Sequence, residues 1–406
     1  MKKPIAVLGT FDTKGEEHQF VAQHIRQCGR EVMLIDAGGF GESQIAADVT
    51  REQVAEAGGH DLAALQSAGD RGAMVAAMSE SAAIILAQLV ADDRIAGVIS
   101  LGGTGGTAIG TAAMRALPLG FPKVMVSTVA AGNVAPYLGV KDIIMIPSIV
   151  DVAGLNRFSR AVFIRGTAAV CALSDANETM PKETDAKPLI VASMFGNTTQ
   201  AVEHARGILE AEGYEVLVFH ATGTGGRTME SIIGSGLVCG VLDLTTTEWA
   251  DELAGGVFAA GPDRLDAAAR HGVPAIVTPG CLDMVNFGTP ESVPVKYAGR
   301  NFYQHNPQVT LMRTTPDECA ELGRILAEKV NASTGPVTVL LPLRAISIIS
   351  AVGKPFHDPV ADAALFNSIR ENLRKDIPLI ELDCKINDAT FAEACVKALL
   401  TNMQAS

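Results

Sequence analysis

Short runs of four to six apolar residues recur along the chain, separated by longer stretches in which apolar positions return every three or four residues. The runs Pro4 to Leu8, Glu31 to Ile35, Ile95 to Ser100, Lys123 to Ser127 and Ile143 to Ile146 read as buried strands. Between them, Gly15 to Cys28 reads as a helix stopped by Gly29, and Gly72 to Ala91 as a second one rich in Ala, Met and Leu. Strands alternating with helices imply parallel pairing with helices on both faces of the sheet. Asn156 to Leu173 is helical in pattern, and the polar, proline-containing stretch after it reads as a linker.

The pattern then restarts. Residues 4–39 and 188–223 superpose without a gap: Pro4 falls on Pro188, Phe11 on Phe195, Gly29 on Gly213, and Gly39 on Gly223. Strands follow at Gly240 to Leu244, Pro274 to Thr278, Val309 to Met312, Pro336 to Leu341 and Pro378 to Leu382. Helices are expected from Pro316 to Val330, Val360 to Leu373 and Asp388 to Thr401. The expected architecture is α/β, two doubly wound Rossmann-like domains with mainly parallel sheets: an N-terminal nucleotide-binding domain at 1–173, a linker at 174–187 and a C-terminal domain at 188–406.

A formal charge of −13 with no run of Lys or Arg argues against a nucleic-acid partner. Seven cysteines stand singly, without CxxC or zinc-ligand spacing, as reduced thiols do. The apolar start meets Asp12 and Lys14 too soon for a signal peptide, and no stretch is expected to reach the roughly 18 apolar residues of a membrane span. A cytoplasmic protein without a membrane partner is expected.

Ligands of open α/β sheets bind beyond the carboxyl ends of the strands. Four segments fall at that edge: Gly9 to Gly15, Asp36 to Gly39, Ser100 to Gly110 with its sequence SLGGTGGTAIG, and Ser127 to Asn133. Small residues let backbone amides approach an anion, and a following helix N-terminus adds partial positive charge. Lys14 is the only cation in these segments. The P-loop pattern is absent, and the relaxed dinucleotide fingerprint at Gly103 to Ala108 lacks the acidic residue that should end the next strand. A mononucleotide fits better, with its phosphates on the glycine-threonine segment and its ribose near Asp36.

The stretches LGTFDTKGEE, IDAGG, LGGTGGT and STVAAGN, with PGCLDMVNFG, HNPQVTLMRT and PFHDPVADAALF, resemble the ATP-binding family typified by the N-terminal domain of the tomato mosaic virus resistance protein. Its bacterial members form a largely uncharacterised protein family. The resemblance runs along essentially the whole chain and implies two α/β domains, a homodimer, and ATP with Mg2+ at the first domain. It implies phosphate contacts at Gly102, Gly103, Thr104, Gly105, Gly106 and Thr107, with Thr10, Thr13 and Lys14 opposite. Gly39, Ser127, Thr128, Gly132 and Asn133 would complete the walls. Thr104 or Thr107 would face the metal, with Asp12 the nearby carboxylate.

In the second domain Asp283, Arg300, His305, His357 and Asp358 suit acid-base work on a small polar metabolite. Cys281 is a candidate nucleophile beside His305, although Asp358 before Pro359 equally suits a helix cap. Three functions remain open: an ATP-dependent phosphoryl-transfer or activating enzyme working at a cleft between the domains, a nucleotide-responsive protein-binding module without turnover, and a lyase or hydrolase acting in the second domain.

Overall fold

The computed structural model describes residues 2–180 and 186–405 and divides into two units, Met1–Glu183 and Thr184–Ser406. The first unit is built on strands β1 (Ile5–Gly9), β2 (Val32–Asp36), β3 (Gly97–Gly102), β4 (Lys123–Ser127) and β5 (Ile144–Pro147). All pair in parallel, in the order β2-β1-β3-β4-β5. Every residue of β1, β3 and β4 is buried, because helices cover both faces and leave no polar-out side. The order reverses direction between β1 and β3, which opens a crevice at their carboxyl ends.

The second unit holds β6 (Leu189–Met194), β7 (Glu215–His220), β8 (Val238–Asp243), β9 (Ala275–Val277), β10 (Met284–Phe287), β11 (Phe302–Asn306), β12 (Val309–Arg313), β13 (Val337–Pro342) and β14 (Leu379–Leu382). Six of them form a parallel sheet in the order β14-β13-β9-β8-β6-β7, which is the first unit's winding with one further strand. Two mainly parallel sheets flanked by helices make this the expected pair of Rossmann-like folds. Val309–Arg313, expected as a strand of the same kind, is instead the centre of a three-stranded antiparallel sheet, β10-β12-β11. The turn Pro307-Gln308 between β11 and β12 is too short for a parallel crossover, and that forces the antiparallel pairing.

The two opening strand-helix-strand units share an architecture but not a register. Gly29 and Gly213 both end the first helix region at positive φ, 77° and 95°, which only glycine adopts at little cost. In the first unit Ile5 pairs with Val32, whereas in the second Leu189 pairs with Glu215, one residue out from the gapless superposition. The turns differ as well: the helix begins at Phe11 directly after β1, but only at Thr199 after β6.

Two expectations change. The polar stretch expected as linker from Ser174 is helical as far as Thr179, the end of a helix from Arg157, while its residues 181–185 lie outside the described ones. The helix Arg71–Ala91 is long and apolar enough to cross a membrane by length and composition, against the expectation that no segment is. After Arg71 at its first position, Glu80 is its one further charged residue, and Met74, Met78, Leu86 and Leu89 are buried in the core of the first unit.

Candidate functional site

The segment Gly9 to Gly15 holds a single helical turn from Phe11, closed by the Thr13 and Lys14 amides donating to the Thr10 carbonyl at 3.2 and 2.9 Å. A kink follows at Lys14, whose φ of −132° and ψ of 26° are not helical, before the helix continues to Gln27. The glycine-threonine segment is likewise a helix start: Gly103 precedes the helix Thr104–Arg115, and the first intrahelical bond runs from the Thr107 amide to the Gly103 carbonyl at 2.8 Å. The amides of Thr104, Gly105 and Gly106 precede that bond and have no partner among the described residues. They face the crevice between β1 and β3.

That crevice is a cavity of about 500 Å³, inside the ~300–1,000 Å³ range of small-ligand sites. It brings together ten of the expected residues: Thr10, Asp12, Thr13, Lys14, Gly39, Gly102, Gly103, Thr104, Gly105 and Gly106. Opposite lies an apolar wall of Met74, Val75, Met78 and Ile109. Arg71 also reaches the cavity, so Lys14 is not its sole cation. Neither cation has an ion pair among the described residues. Sequence reading missed Arg71 because the helix was started at Gly72; the legible signal was Asp70, which caps that helix by accepting the Gly72 and Ala73 amides at 2.8 and 3.0 Å.

Other expected residues lie elsewhere. Asp36, the expected ribose hook, is 1% exposed and engaged: one carboxylate oxygen accepts the Phe11 and Gly38 amides at 3.0 and 2.8 Å, and the other accepts the Ser43 hydroxyl. Its work is to tie the end of β2 to the start of the Phe11 helix, which aims that helix at the cavity. Thr107 is buried and hydrogen-bonded to the Ser127 hydroxyl at 2.7 Å, joining the Thr104 helix to β4 rather than facing a ligand. Thr128, Gly132 and Asn133, on the turn after β4, do not line the cavity. Asp12 does line it, but one oxygen accepts the Phe40 and Gly41 amides at 3.0 and 3.2 Å and so holds that loop in place, while the other is buried without a hydrogen-bond partner. An added Cβ on Gly38 would meet that second oxygen at 2.8 Å.

The glycines at the Thr104 helix divide into two kinds. A Cβ on Gly102 would sit 2.8 Å from the Gly106 Cα, so packing requires that glycine. Gly103 and Gly105 would meet nothing nearer than 3.9 and 3.8 Å, and neither has positive φ. Gly103 is the N-cap of this helix, where glycine is well tolerated. Gly105 lies inside the first turn, where glycine costs up to about 1 kcal/mol relative to alanine, and no described residue explains that cost.

The second unit supplies an internal comparison that the sequence already contained. Gly223-Thr224-Gly225-Gly226 repeats Gly103-Thr104-Gly105-Gly106 and also opens a helix, Thr224–Ile233. There the amides of Gly223 and Gly226 donate to one carboxylate oxygen of Glu248, at 2.8 and 3.0 Å. A Cβ at Gly226 would meet that carboxylate at 2.2 Å. The same four residue types thus hold a carboxylate in the second unit, though at a helix start after β7 that is not the counterpart of the one after β3 and with Gly223 at a φ of 77°.

Four of the five acid-base candidates of the second unit gather around a buried arginine, Arg313, which sequence reading did not single out. Arg300 donates to the Arg313 carbonyl at 2.7 Å, the Arg313 guanidinium donates to the Phe356 and Asp358 carbonyls at 2.9 and 3.4 Å, and its charge acts on Asp283, but each candidate side chain is already engaged. Asp283 is fully buried, accepts the Ser347 hydroxyl at 2.7 Å and has its carboxyl pushed up by burial. Arg300 pairs with Glu318 at 3.0 and 2.5 Å. The His357 ring nitrogen Nδ1 lies 3.3 Å from the Ser350 carbonyl. Asp358 caps the helix Pro359–Asn372 by accepting the Val360 and Ala361 amides at 3.1 and 3.0 Å. Of the five, His305 lines a cavity. Cys281, the candidate nucleophile, is fully buried, and burial pushes its thiol up, which removes the thiolate that nucleophilic chemistry needs.

Two buried carboxyls give the second unit a pH dependence. Burial pushes Asp251 up to about 7 and Asp362 up to about 6, the latter against the opposing pull of Arg313. The folded protein holds these protons more tightly than the unfolded chain, so their contribution is fully present below about pH 4 and lost as pH rises through 6 and 7. Asp251 accepts the Asn286 side-chain amide at 2.7 Å, and the Asn286 carbonyl oxygen is otherwise unpartnered; a half-turn of that amide lets it accept the proton of a neutral Asp251. Urea midpoints followed from pH 5 to 8 are expected to fall more steeply for the unmodified protein than for Asp251→Asn. Equal slopes would assign the pH dependence to other groups.

Known proteins place the whole chain. Residues 3–179 match the N-terminal domain, and residues 187–403 the C-terminal domain, of the uncharacterised protein family UPF0261. A UPF0261 protein of Clostridium tetani is 46% identical over 405 residues, covering 100% of both chains. The UPF0261 protein RA0729 of Rhizobium meliloti is 48% identical over 98% of each. The ToMV resistance protein Tm-1(GCR237) of Solanum lycopersicum is 37% identical over 97% of this chain, which corresponds to 55% of the tomato protein's length. Matched by both family domains and by full-length relatives, the chain belongs to the UPF0261 family.

Proposed function

We propose that the first unit binds ATP with Mg2+ in the cavity between β1 and β3, the triphosphate lying on the amides of Thr104, Gly105 and Gly106. The observation that carries this reading is Gly105, inside the first turn of the Thr104 helix, which neither packing nor φ requires to be glycine. The carboxylate held by the Gly223 and Gly226 amides shows only that a helix start of this composition accommodates an anion. Lys14 and Arg71 supply positive charge without competing ion pairs among the described residues, and Met74, Val75, Met78 and Ile109 offer an apolar slot for a base. With Asp36 engaged by amides and a hydroxyl, the ribose of the nucleotide is not held by that carboxylate, contrary to the expected placement.

Among the described residues no group of three or more His, Cys, Asp and Glu gathers as a metal cage. Mg2+ fits here as a metal held mainly by phosphate oxygens and water, with the Thr10 and Thr104 hydroxyls in the same cavity. The metal would neutralise phosphate charge. The cavity's one carboxylate, Asp12, has one oxygen held by two amides and the other buried, so no general base stands free. This favours nucleotide-dependent regulation or binding over phosphoryl transfer within this cavity.

Calorimetric titration of the full chain with Mg-ATP, ADP and NAD tests the reading. Saturable binding of Mg-ATP without binding of NAD is expected. Lys14→Ala and Arg71→Ala should each weaken it by about tenfold, roughly 1.4 kcal/mol, and each should flatten the dependence of affinity on salt. No binding of any nucleotide by folded protein would overturn the proposal.

A further inference from the structure

The second unit has a cavity of its own, about 220 Å³, beside the carboxyl ends of β6 and β7. Its wall is assembled from distant parts of the chain. Phe195 and Gly196 follow β6, His220 ends β7, Phe258 lies in a later loop, and His305 and Asn306 arrive on β11. The rings form one surface: Phe195 stacks on His220 with centroids 5.3 Å apart and planes at 30°, and meets Phe258 edge-on at 6.2 Å.

Two features of the backbone open this surface to a ligand. Consecutive strand residues point to opposite faces, yet His305 and Asn306 both line the cavity. The cause is a bulge: Gln304 pairs with Thr310 and Asn306 with Val309, which leaves His305 as the extra residue, turned toward the cavity. Gly196 is exposed, lacks positive φ and would meet no atom within 4 Å if it carried a Cβ. Its missing side chain keeps the mouth of the cavity clear.

Several polar groups of the wall are left uncommitted, the Asn197 side-chain carbonyl oxygen among them. The His220 and His305 rings make no hydrogen bond among the described residues. Asn306 accepts the Gln308 amide through its carbonyl oxygen at 2.8 Å, which leaves its NH2 free to donate. No Asp, Glu, Lys or Arg lines the cavity. Imidazoles and a carboxamide donor over an aromatic wall recognise a flat ring carrying an acceptor-rich anionic group.

We propose that this cavity binds a small aromatic carboxylate, its ring against Phe195 and Phe258 and its carboxylate between His220, His305 and the Asn306 amide. The site lies wholly within the second unit and is independent of the nucleotide reading.

The test is a titration of the full chain with benzoate, followed by calorimetry and ligand-observed NMR, with cyclohexanecarboxylate and inorganic phosphate as comparison probes. Saturable benzoate binding is expected, with cyclohexanecarboxylate weaker by tenfold or more. His305→Ala and Gly196→Val, both at exposed positions, should each weaken benzoate at least tenfold with unchanged circular dichroism. Absence of saturation at millimolar benzoate, unchanged affinity in both folded variants, or phosphate binding in preference to benzoate would each overturn the assignment.

Discussion

Gly105→Val is expected to lower the affinity for Mg-ATP by about 100-fold or more, equivalent to roughly 2.7 kcal/mol, while leaving the fold intact. The added side chain projects into space that the protein does not fill, since the nearest atom to its Cβ is Val75 Cγ2 at 3.8 Å. Within the helix the exchange gains a few tenths of a kcal/mol, because valine loses less backbone freedom than glycine. Whatever the variant loses is therefore lost by the ligand, whose phosphates can no longer reach the amides of Thr104, Gly105 and Gly106. Gly102→Ala provides the contrast. Its Cβ would lie 2.8 Å from the backbone of Gly106, so it should lower the unfolding midpoint by an amount typical of overpacking, about 1–3 kcal/mol, whether or not nucleotide is present. A folded Gly105→Val protein that binds Mg-ATP like the unmodified one would move the phosphate site away from this helix.

The expected result depends on a distinction that the sequence expresses only in part. Five glycines between Ser100 and Gly110 announce a special segment, and the apolar run before it locates that segment at the carboxyl end of a strand. Which glycines answer to packing and which to open space depends on what lies across from each, and that is set by distant parts of the chain. Gly39 gives way to Met74, with a Cβ-to-Cγ approach of 2.5 Å, although 34 intervening positions hide the contact from any local pattern. Asp36 shows the same limit. Its place at the end of a strand is legible, but the Phe11 amide and the Ser43 hydroxyl that occupy it come from other segments.

Strands were legible wherever burial on both faces makes a continuous apolar run, as in β1, β4 and β13. Helix starts were less so. Small polar residues before a helix look like a loop, which is why Thr104 to Thr107 were expected outside their helix, whereas the expected start at Gly15 coincides with the kink at Lys14, one turn after Phe11. The acid-base candidates of the second unit failed for another reason. Residue type showed what Arg300, His357 and Asp358 can do, but each meets a local partner first: Glu318, the Ser350 carbonyl and a helix N-terminus, respectively. The charged centre that the fold builds instead, around Arg264, drew no attention in the sequence because its partners lie up to 34 residues away.

Replacing that arginine is expected to have the largest effect on stability. Arg264 is 1% exposed, and its guanidinium donates to Glu248 at 2.6 Å, to both oxygens of Asp243 at 2.6 Å and to Glu230 at 3.0 Å. Burial works against its charge, and the surrounding carboxylates, Asp243 first among them, hold the charge in place. Arg264→Met keeps most of the volume but strands Asp243 and Glu248 in the interior, which costs about 3–5 kcal/mol. The urea midpoint should fall accordingly, read by Trp249, the only tryptophan, next in sequence to Glu248. Adding Asp243→Asn and Glu248→Gln removes the stranded charges and retains oxygen acceptors for Ser193, Gly223 and Gly226, so the triple variant should recover at least half of the loss. A single variant within 1 kcal/mol of the unmodified protein, or a triple no more stable than the single, would mean that the arginine is not what balances these acids. Recovery would instead tie the two copies of the Gly-Thr-Gly-Gly helix start together. In the second unit the Gly223 and Gly226 amides are satisfied by a carboxylate that Arg264 neutralises, and the motif is a structural joint there; in the first unit the amides of Thr104, Gly105 and Gly106 have no partner among the described residues and remain available to a ligand.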